Sequence, residues 1–181
     1  MNNAEVRVDM RQMTAEELAE MARQSQTVYK LNHTMPMTED YTALLKELFG
    51  DKIGEGSLII APLSGAAFDK VLIGKNVFVN SNVLLMARGG ITLEDNAMIA
   101  ANAQIISNNH DPYDLQVLLC KPVVIAESAW IGAGATILPG VRVGKHAVVG
   151  AMSVVTKDVP DYAVVVGSPA KVVKMLDPTR F

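Results

Sequence analysis

The sequence predicts an all-β fold, a parallel β-helix built from six-residue repeats, with a short α-helical cap before it and a short strand or helix after it. Aliphatic residues recur every six positions between residues 73 and 155, a period unlike the 3.6 of a helix or the 2 of a strand. A small or β-branched residue follows most of them four positions later. This double pattern is typical of hexapeptide solenoids, in which each repeat forms one short strand and one corner.

Twelve aliphatic residues define the period, and we expect them to fill the interior of the coil. They are Ile73, Val79, Leu85, Leu93, Ile99, Ile105, Ile125, Ile131, Ile137, Val143, Val149 and Val155. The inward companions at the corners are Val77, Val83, Ala97, Ala103, Asn109, Ala129, Ala135, Val141, Ala147, Ser153 and Val159. The spacing breaks twice, by two extra residues at 89–90 and by an excursion over about 110–122.

The composition argues against several classes of function. The chain has 181 residues and a net charge of −3 without a basic run, which gives no support for a nucleic-acid partner. Its apolar stretches are too short to cross a bilayer, and its first residues lack the layout of a signal peptide. The single cysteine, Cys120, cannot form an internal disulfide and fits a reducing compartment. We therefore expect a cytoplasmic protein without a membrane or nucleic-acid partner.

Two amphipathic helices are predicted before the coil. Thr14 and Glu17 form a capping box for the first helix, which should end near Asn32. Thr38 should cap the second helix, which ends at Gly50. The predicted buried faces are Leu18, Met21, Ala22, Val28 and Tyr29 in the first helix, and Tyr41, Leu44, Leu45, Leu48 and Phe49 in the second. We expect residues 1–56 to be a helical cap that shields the open end of the coil.

The β-helix domain is predicted over residues 57–161, with an irregular first coil at 57–70. Residues 162–181 should form a C-terminal extension. In it, residues 162–166 continue as a strand, residues 167–169 turn, and residues 170–176 form one or two helical turns. Residues 1–12 give little structural signal.

Residues 71–176 resemble the maltose/galactoside O-acetyltransferase branch of the hexapeptide-repeat acyltransferases. The motifs that carry the resemblance are AWIGAG at 129–134, ILPG at 137–140, VVTKD at 154–158 and GSPAK at 167–171. The resemblance implies a left-handed coil and an enzyme that moves an acetyl group from acetyl-CoA to a hydroxyl of a sugar or a sugar-like molecule. It also implies a homotrimer with active sites in the grooves between subunits. The three histidines weigh against a zinc site, because His33 lies in the helical cap and nothing brings all three together, so we expect that no metal is required.

His110 matches the catalytic histidine of this family, just before the excursion. An acceptor hydroxyl needs a base that removes its proton as it attacks the thioester, and imidazole suits that task near neutral pH. Asn80 matches a family asparagine that contacts the acceptor and stabilises the reaction centre, although a corner asparagine is the alternative. Hexad counting puts Asn80 and His110 on different faces of one coil. They could therefore meet most easily across a subunit boundary.

The resemblance also implies a binding site for CoA. The matching positions are Ala133 and Ala151 through their backbone, Thr156, Lys157, and the C-terminal Lys171 and Lys174. Each lysine alone is also compatible with ordinary solubility. Trp130 and Leu118 are expected to line the site, and packing at a subunit contact is an equal alternative for Trp130.

The acceptor pocket departs from the family pattern. Ala66 replaces a polar residue, and Arg88 stands where the family has a carboxylate. An acidic acceptor contact survives as Asp9 only if the alignment contains an insertion. The predicted acceptor-binding residues are therefore Asp9, Asn80 and Arg88. The loss of a carboxylate and the gain of a guanidinium at Arg88 favour a different or even anionic acceptor. Two alternatives stay open: an acetyltransferase for xenobiotics or other small molecules, and a β-helix scaffold without catalysis.

Overall fold

The computed structural model describes residues 4–181, and it confirms the all-β parallel β-helix. The described residues form two α-helices, α1 (Ala15–Asn32) and α2 (Glu39–Phe49), and short strands. The strands are β1 (Val6–Asp9), β2 (Leu58–Ile59), β3 (Leu63–Ala66), β4 (Val71–Ile73), β5 (Phe78–Val79), β6 (Val83–Met86), β7 (Ile91–Leu93), β8 (Met98–Ile99), β9 (Gln104–Ile106), β10 (Asn108–Asp111), β11 (Asp114–Cys120), β12 (Val123–Ile125), β13 (Trp130–Ile131), β14 (Thr136–Ile137), β15 (Arg142–Val143), β16 (Val148–Val149), β17 (Val154–Val155), β18 (Ala163–Val166) and β19 (Lys171–Met175). No helix in this described part of the chain has the length and apolar character needed to cross a membrane.

The coil has three faces, each a parallel sheet to which successive coils add one strand. The β4 face contains β4, β7, β12 and β15, and the β6 face contains β3, β6, β9, β14 and β17. The β5 face contains β2, β5, β8, β13, β16 and β18, and β19 adds an antiparallel edge to it. Matching residues of successive coils lie in register, as Ile99, Ile131 and Val149 do.

The interior agrees with the six-residue period at nearly every position. All twelve period-defining aliphatics are at most 2 % exposed, and the corner companions are buried with one exception. The exception is Asn109, whose predicted inward position is wrong because its side chain is exposed. The chain leaves the coil at Ser107, whose hydroxyl donates to Met86 O and accepts from Gly89 N–H. Asn109 already belongs to β10, where strand pairing rather than the coil sets its direction.

Coil corners use residues with positive φ. Asn76, Asn82, Asn96 and Asn102 have φ between 53° and 61°. Asparagine tolerates this left-handed conformation better than most side chains, because it is short and polar. Gly134 occupies the same place one coil after Asn102, since the Asn102 and Gly134 amides each donate to the preceding coil. Asparagine is therefore compatible with the backbone at this corner.

The two helices begin and end as predicted. The Glu17 amide donates to Thr14 Oγ1 at 3.2 Å, and the Thr14 amide donates to Glu17 Oε2 at 2.9 Å, which completes the capping box. Thr38 caps α2. The buried residues of this helix are Tyr41, Leu45, Leu48 and Phe49. The Tyr41 hydroxyl donates to Ile59 O, which connects α2 to the first coil.

The predicted buried face of α1 is wrong except at Val28, which is partly buried against the core. Leu18, Met21, Ala22 and Tyr29 are exposed, whereas the buried residues of the helix are Gln24, Thr27 and Leu31. Polar side chains can be buried here because each has partners. Gln24 Nε2 donates to Asp69, its Oε1 accepts from Phe68 N–H, and Thr27 donates to Glu47.

The excursion after the third coil is an antiparallel hairpin of β10 and β11, which β1 extends to a three-stranded sheet. The sequence did not predict β1. The first described residues thus form a strand on the outer edge of the hairpin. Arg7 connects the strand and the hairpin, because its Nη2 donates to Asp111 Oδ2 at 2.5 Å.

The predicted C-terminal helical turns are also wrong, because residues 171–175 form the strand β19. This strand pairs antiparallel with β18, with Val166 opposite Lys171. Val172 and Val173 are β-branched and favour a strand when an edge is available. β19 covers the edge of the β5 face at the end of the solenoid, where bare backbone groups would invite further pairing.

Candidate active site

A cavity of about 480 Å³ opens between the start of α1, the loop 66–70, the bend after β6 and the β10–β11 hairpin. Four residues singled out in the sequence line it, namely Ala66, Arg88, His110 and Leu118. Arg88 lies in the bend between β6 and β7, next to the two extra residues at 89–90. The hairpin brings His110 and Leu118 together, since they are partners across β10 and β11.

The His110 ring is held by one hydrogen bond within its own hairpin. Its Nδ1 lies 2.6 Å from the carbonyl oxygen of Leu115. A carbonyl oxygen can only accept, so Nδ1 must carry the proton and the neutral ring keeps its lone pair on Nε2. The side chain is exposed in the single chain. Nε2 is therefore the nitrogen with the chemistry of a base.

Ion pairs fix the hairpin that carries His110. Asp111 Oδ1 accepts from the Tyr113 amide at 2.9 Å, and Arg7 binds its other oxygen. The Tyr113 N–H, with the guanidinium of Arg7, lowers the pKa of the Asp111 carboxyl. Arg11 donates to Asp114 at 2.7 Å on the other side of the turn.

Asp9, a predicted acceptor contact, does not line the cavity. Its carboxylate accepts from Arg11 Nε at 2.8 Å and from Arg11 Nη2 at 2.9 Å. The side-chain bonds from Arg11 lower the pKa of Asp9. Its neighbour Met10 lines the cavity instead, with its sulfur 3.8 Å from Arg88 Nη2.

Asn80 lies at a different corner from His110, as hexad counting predicts. It follows β5, between the β5 and β6 faces, whereas the hairpin leaves between the β6 and β4 faces. Its Oδ1 accepts from the Ser81 amide at 2.7 Å. Asn80 does not line the cavity that contains His110 within one chain.

A column of backbone amides follows Ser81 along that corner, at Ala101, Ala133 and Ala151. Among residues 4–181, these three N–H groups have no hydrogen-bond acceptor. We call them the amide column. Ala101 is half-buried, whereas Ala133 and Ala151 are exposed, so a ligand can approach this column of donors.

The preceding corner of the coil provides the contrast. At equivalent positions the Lys75 amide donates to Asp95, the Lys145 amide to Asp161, and the Glu127 amide to Glu94. At that corner, side-chain carboxylates accept from these three backbone N–H groups. At the corner of the amide column, the equivalent residues are alanines, and no side chain of residues 4–181 accepts from them.

The other predicted CoA contacts lie near the end of the coil. Thr156 and Lys157 follow β17 and are exposed, and Lys171 and Lys174 are exposed on β19. The Ala170 amide donates to Val154 O, which keeps the start of β19 beside β17. Trp130 is 50 % exposed on the β5 face, between Met98 and Val148 of adjacent coils.

Neither a metal site nor a reactive thiol is built into the described chain. Among residues 4–181, no group of three or more His, Cys, Asp or Glu side chains is placed to hold a metal ion. His33 Nδ1 contacts Tyr29 O, and His146 stacks on Tyr162 and Phe181, both away from His110. Cys120 is buried, and burial raises the pKa of its thiol.

Several residues of the cavity were not assigned to a site from the sequence, among them Asn108, Lys70 and the methionines Met10, Met21 and Met86. Lys70 and the methionines carry no motif, and they meet only through tertiary packing. Asn108 had a usable signal. It lies two residues before His110, so both side chains point to the same side if residues 108–110 form a strand.

Comparisons with known proteins agree with this geometry. Residues 122–157 match the family Bacterial transferase hexapeptide (six repeats), and residues 70–106 match the Hexapeptide repeat of succinyl-transferase. The galactoside O-acetyltransferase of Escherichia coli (strain K12) is 31% identical over 155 residues, which are 83% of this chain and 76% of the relative.

Two solved structures extend the similarity to the whole architecture. A galactoside acetyltransferase in complex with coenzyme A superposes with a TM-score of 0.87 at 29% identity, covering 93% of this chain and 86% of the other. A maltose O-acetyltransferase from Clostridium difficile 630 superposes with a TM-score of 0.85 at 29% identity, covering 91% of this chain and 90% of the other.

Proposed function

This chain belongs to the galactoside and maltose O-acetyltransferase branch of the hexapeptide-repeat acetyltransferases, and from that membership we propose its reaction. It transfers the acetyl group of acetyl-CoA directly to a hydroxyl of a sugar or a sugar-like small molecule. His110 acts as the general base. Enzyme relatives and a neighbour bound to coenzyme A support the acyl donor.

The hydrogen bond between His110 Nδ1 and Leu115 O is the observation that carries the proposal. It holds the imidazole in the tautomer whose Nε2 accepts a proton. The ring lines a cavity of a size suited to a small acceptor. His33 makes a similar bond from Nδ1 to Tyr29 O but does not line this cavity, so the bond and the cavity together support the proposal for His110.

The proposed reaction is a single displacement at the thioester carbon. His110 Nε2 takes the proton of the acceptor hydroxyl as its oxygen attacks that carbon. The tetrahedral intermediate then expels the CoA sulfur, the C–S bond breaks, and the sulfur takes the proton from the imidazolium. No covalent enzyme intermediate is needed. Buried Cys120, with its raised thiol pKa, is a poor candidate for one.

The amide column supports the proposed binding of CoA. The pantetheine arm of CoA contains amide carbonyls that accept hydrogen bonds, and Ala133 and Ala151 offer unpaired N–H groups beside the coil. Lys157, Lys171 and Lys174 supply positive charge for the phosphates, as compact point charges rather than bidentate forks.

We propose a homotrimer whose active site is shared between neighbours. Asn80 and the amide column lie at one corner of the prism, and His110 projects from another. A rotation of one chain by a third of a turn brings unlike corners of neighbouring chains together. Asn80 of one subunit then stabilises the reaction centre that His110 of the next one serves.

One experiment separates the reactions that fit this site. Release of the CoA thiol is measured with acetyl-CoA and a panel of sugars, amino sugars and hydroxylated xenobiotics. Preferred turnover of sugars supports the proposal. Preferred turnover of xenobiotics supports the alternative acceptor class. If a shift in melting temperature shows that acetyl-CoA binds, yet no acceptor is acetylated, the non-catalytic scaffold is the better interpretation.

A further inference from the structure

We propose that the cavity beside His110 binds an acceptor with an apolar body and an anionic group, a carboxylate or a phosphate. In this proposal Arg88 and Lys70 hold the anion, and the Asn108 amide binds a polar group next to the reacting hydroxyl. The inference rests on the acetyl transfer proposed above and names the class of its acceptor.

The first argument is the apolar part of the lining. Met10, Met21, Met86 and Leu118 surround the cavity, with Ala66 and Ala67 on the loop side. Methionine side chains adapt to irregular ligands and offer little hydrogen bonding. The apolar part of an acceptor would pack against this portion of the lining.

The second argument concerns which polar groups are already engaged. Glu20 accepts from Arg23 and Gln24, and Gln24 also donates to Asp69. Glu17 is occupied by the capping box, and its carboxylate, like that of its neighbour Glu16, lies in the first turn of α1, where the helix dipole favours negative charge. The bond from the Thr14 N–H, and after it the charges of Arg88 and Lys70, lower the pKa of the Glu17 carboxyl, so the two cations of the cavity already face one carboxylate.

Neither cation of the cavity donates a hydrogen bond to a carboxylate of the described chain. The hydrogen-bond partner of the Arg88 side chain is the sulfur of Met10 at 3.8 Å, a weak acceptor. Lys70 Nζ reaches the backbone carbonyl of Arg88 at 3.4 Å, which brings the ammonium beside Arg88. A guanidinium and an ammonium that line one cavity suit a carboxylate or phosphate, which a guanidinium can bind bidentately.

The third argument is the buried amide of Asn108. The residue is 7 % exposed and lines the cavity, and its Oδ1 has no hydrogen-bond partner in the described chain. A buried polar atom without a partner costs stability, so native proteins seldom keep one without a use. Asn108 and His110 share one side of β10, as residues two apart do. A ligand whose hydroxyl meets His110 therefore comes within range of the Asn108 amide.

The anion site is tested with a pair of probes that differ only in charge. These are para-nitrophenyl β-D-glucuronide and its methyl ester, and their dissociation constants are measured by calorimetry with CoA present. Wild-type protein should bind the acid about 10- to 100-fold more tightly, the usual range for charge-assisted hydrogen bonds. Arg88→Gln and Lys70→Gln should each reduce that ratio. Lys75→Gln, an exposed lysine outside the cavity, is the matched control and should leave the ratio unchanged.

Asn108 is tested by a trade-off between stability and binding. Asn108→Leu removes the unpaired amide at nearly constant volume, so the melting temperature should rise. Affinity for the glucuronide should fall about 10-fold, while the affinity for acetyl-CoA should not change. Asn108→Ala gives the same comparison if leucine prevents folding. A purely structural role would lower stability without a selective loss of glucuronide binding.

Equal affinity for the acid and the ester in wild-type protein, or no binding of the acid, would overturn the anion site. Unchanged glucuronide affinity in both Asn108 variants would overturn the role of Asn108. Charge-selective binding without acetyl transfer to any acceptor would instead count against the proposed function and leave this site intact.

Discussion

Replacing Gly132 by alanine should open the coil at the proposed CoA site. A Cβ on Gly132 would lie 2.6 Å from Ala151 N and 2.6 Å from Val149 O. Ordinary contact begins near 3.4 Å, so the two coils must separate by about 0.8 Å at this corner. The atoms in the way are backbone, which has no rotamer to change. Overpacking of this kind typically costs about 1–3 kcal/mol.

The same displacement changes the spacing of the amide column, because Ala133 and Ala151 flank the clash. We expect Gly132→Ala to lower the melting temperature and to weaken CoA binding about 10-fold, the value of one well-placed hydrogen bond. Calorimetry with CoA measures the second effect. Gly134→Asn is the control, since Asn102 has the same backbone conformation one coil earlier and the clash there is with the flexible, exposed end of Met152. It should keep the affinity for CoA.

Unchanged melting temperature and unchanged CoA affinity in Gly132→Ala would refute the close approach of the coils. A lower melting temperature with full CoA affinity would support the close approach of the coils but would show that the amide column does not bind CoA.

Three further predictions concern the interior, the hairpin and the assembly. Ile131→Ala should lower the free energy of unfolding by about 2–5 kcal/mol in urea denaturation, because Ile131 is fully buried; a change within error would contradict the predicted interior. The lowered pKa of Asp111 means that its carboxylate stabilises the fold above the ordinary aspartate pKa and loses this effect as the pH falls through the lowered value. The melting temperature of Asp111→Asn should therefore lie below wild type at neutral pH and converge with it in acid, whereas a constant difference would argue against stabilisation of this carboxylate by the Tyr113 N–H and Arg7. Mixed trimers of Asn80→Ala and His110→Ala chains should regain part of the activity, and verified mixed trimers without recovery would argue against a shared site.

The interior of the coil was predictable because its signal is local. Each hexad specifies its own inward residue, and the register from Ile99 through Ile131 to Val149 follows by counting. The helix boundaries were predictable for the same reason, since Thr14 and Glu17 cap the helix within one turn.

The features that were missed depend on distant partners. β1 exists because residues 6–9 pair with residues 117–120, more than a hundred positions away. The run 171–175 is compatible with a helix or a strand, and the free edge of β18 decides for the strand. Gln24 and Thr27 are buried only because Asp69, Phe68 and Glu47 offer them hydrogen bonds.

The candidate site, like the fold, was predictable only in part. The resemblance identified His110 and Arg88, and the structure puts both in one cavity. Lys70 could not be identified, because it reaches the cavity only through tertiary packing. Asn108 could have been identified from its place two residues before His110, but its unpaired Oδ1 is visible only in the structure.

Catalysis by His110 is tested most directly with the variant His110→Asn. The asparagine amide can still donate to Leu115 O in place of Nδ1, so the hairpin keeps its hydrogen bond while the base is lost. Release of the CoA thiol is followed at saturating acetyl-CoA and acceptor, and the dissociation constant for acetyl-CoA is measured in parallel. His146→Ala, which loses only its stacking on Tyr162 and Phe181, is the control and should keep full turnover. We expect turnover of His110→Asn to fall by about 10²- to 10⁴-fold with acetyl-CoA affinity unchanged, as the loss of a positioned general base predicts. Undiminished turnover, or a loss confined to acetyl-CoA binding, would contradict the assignment of His110 as the base.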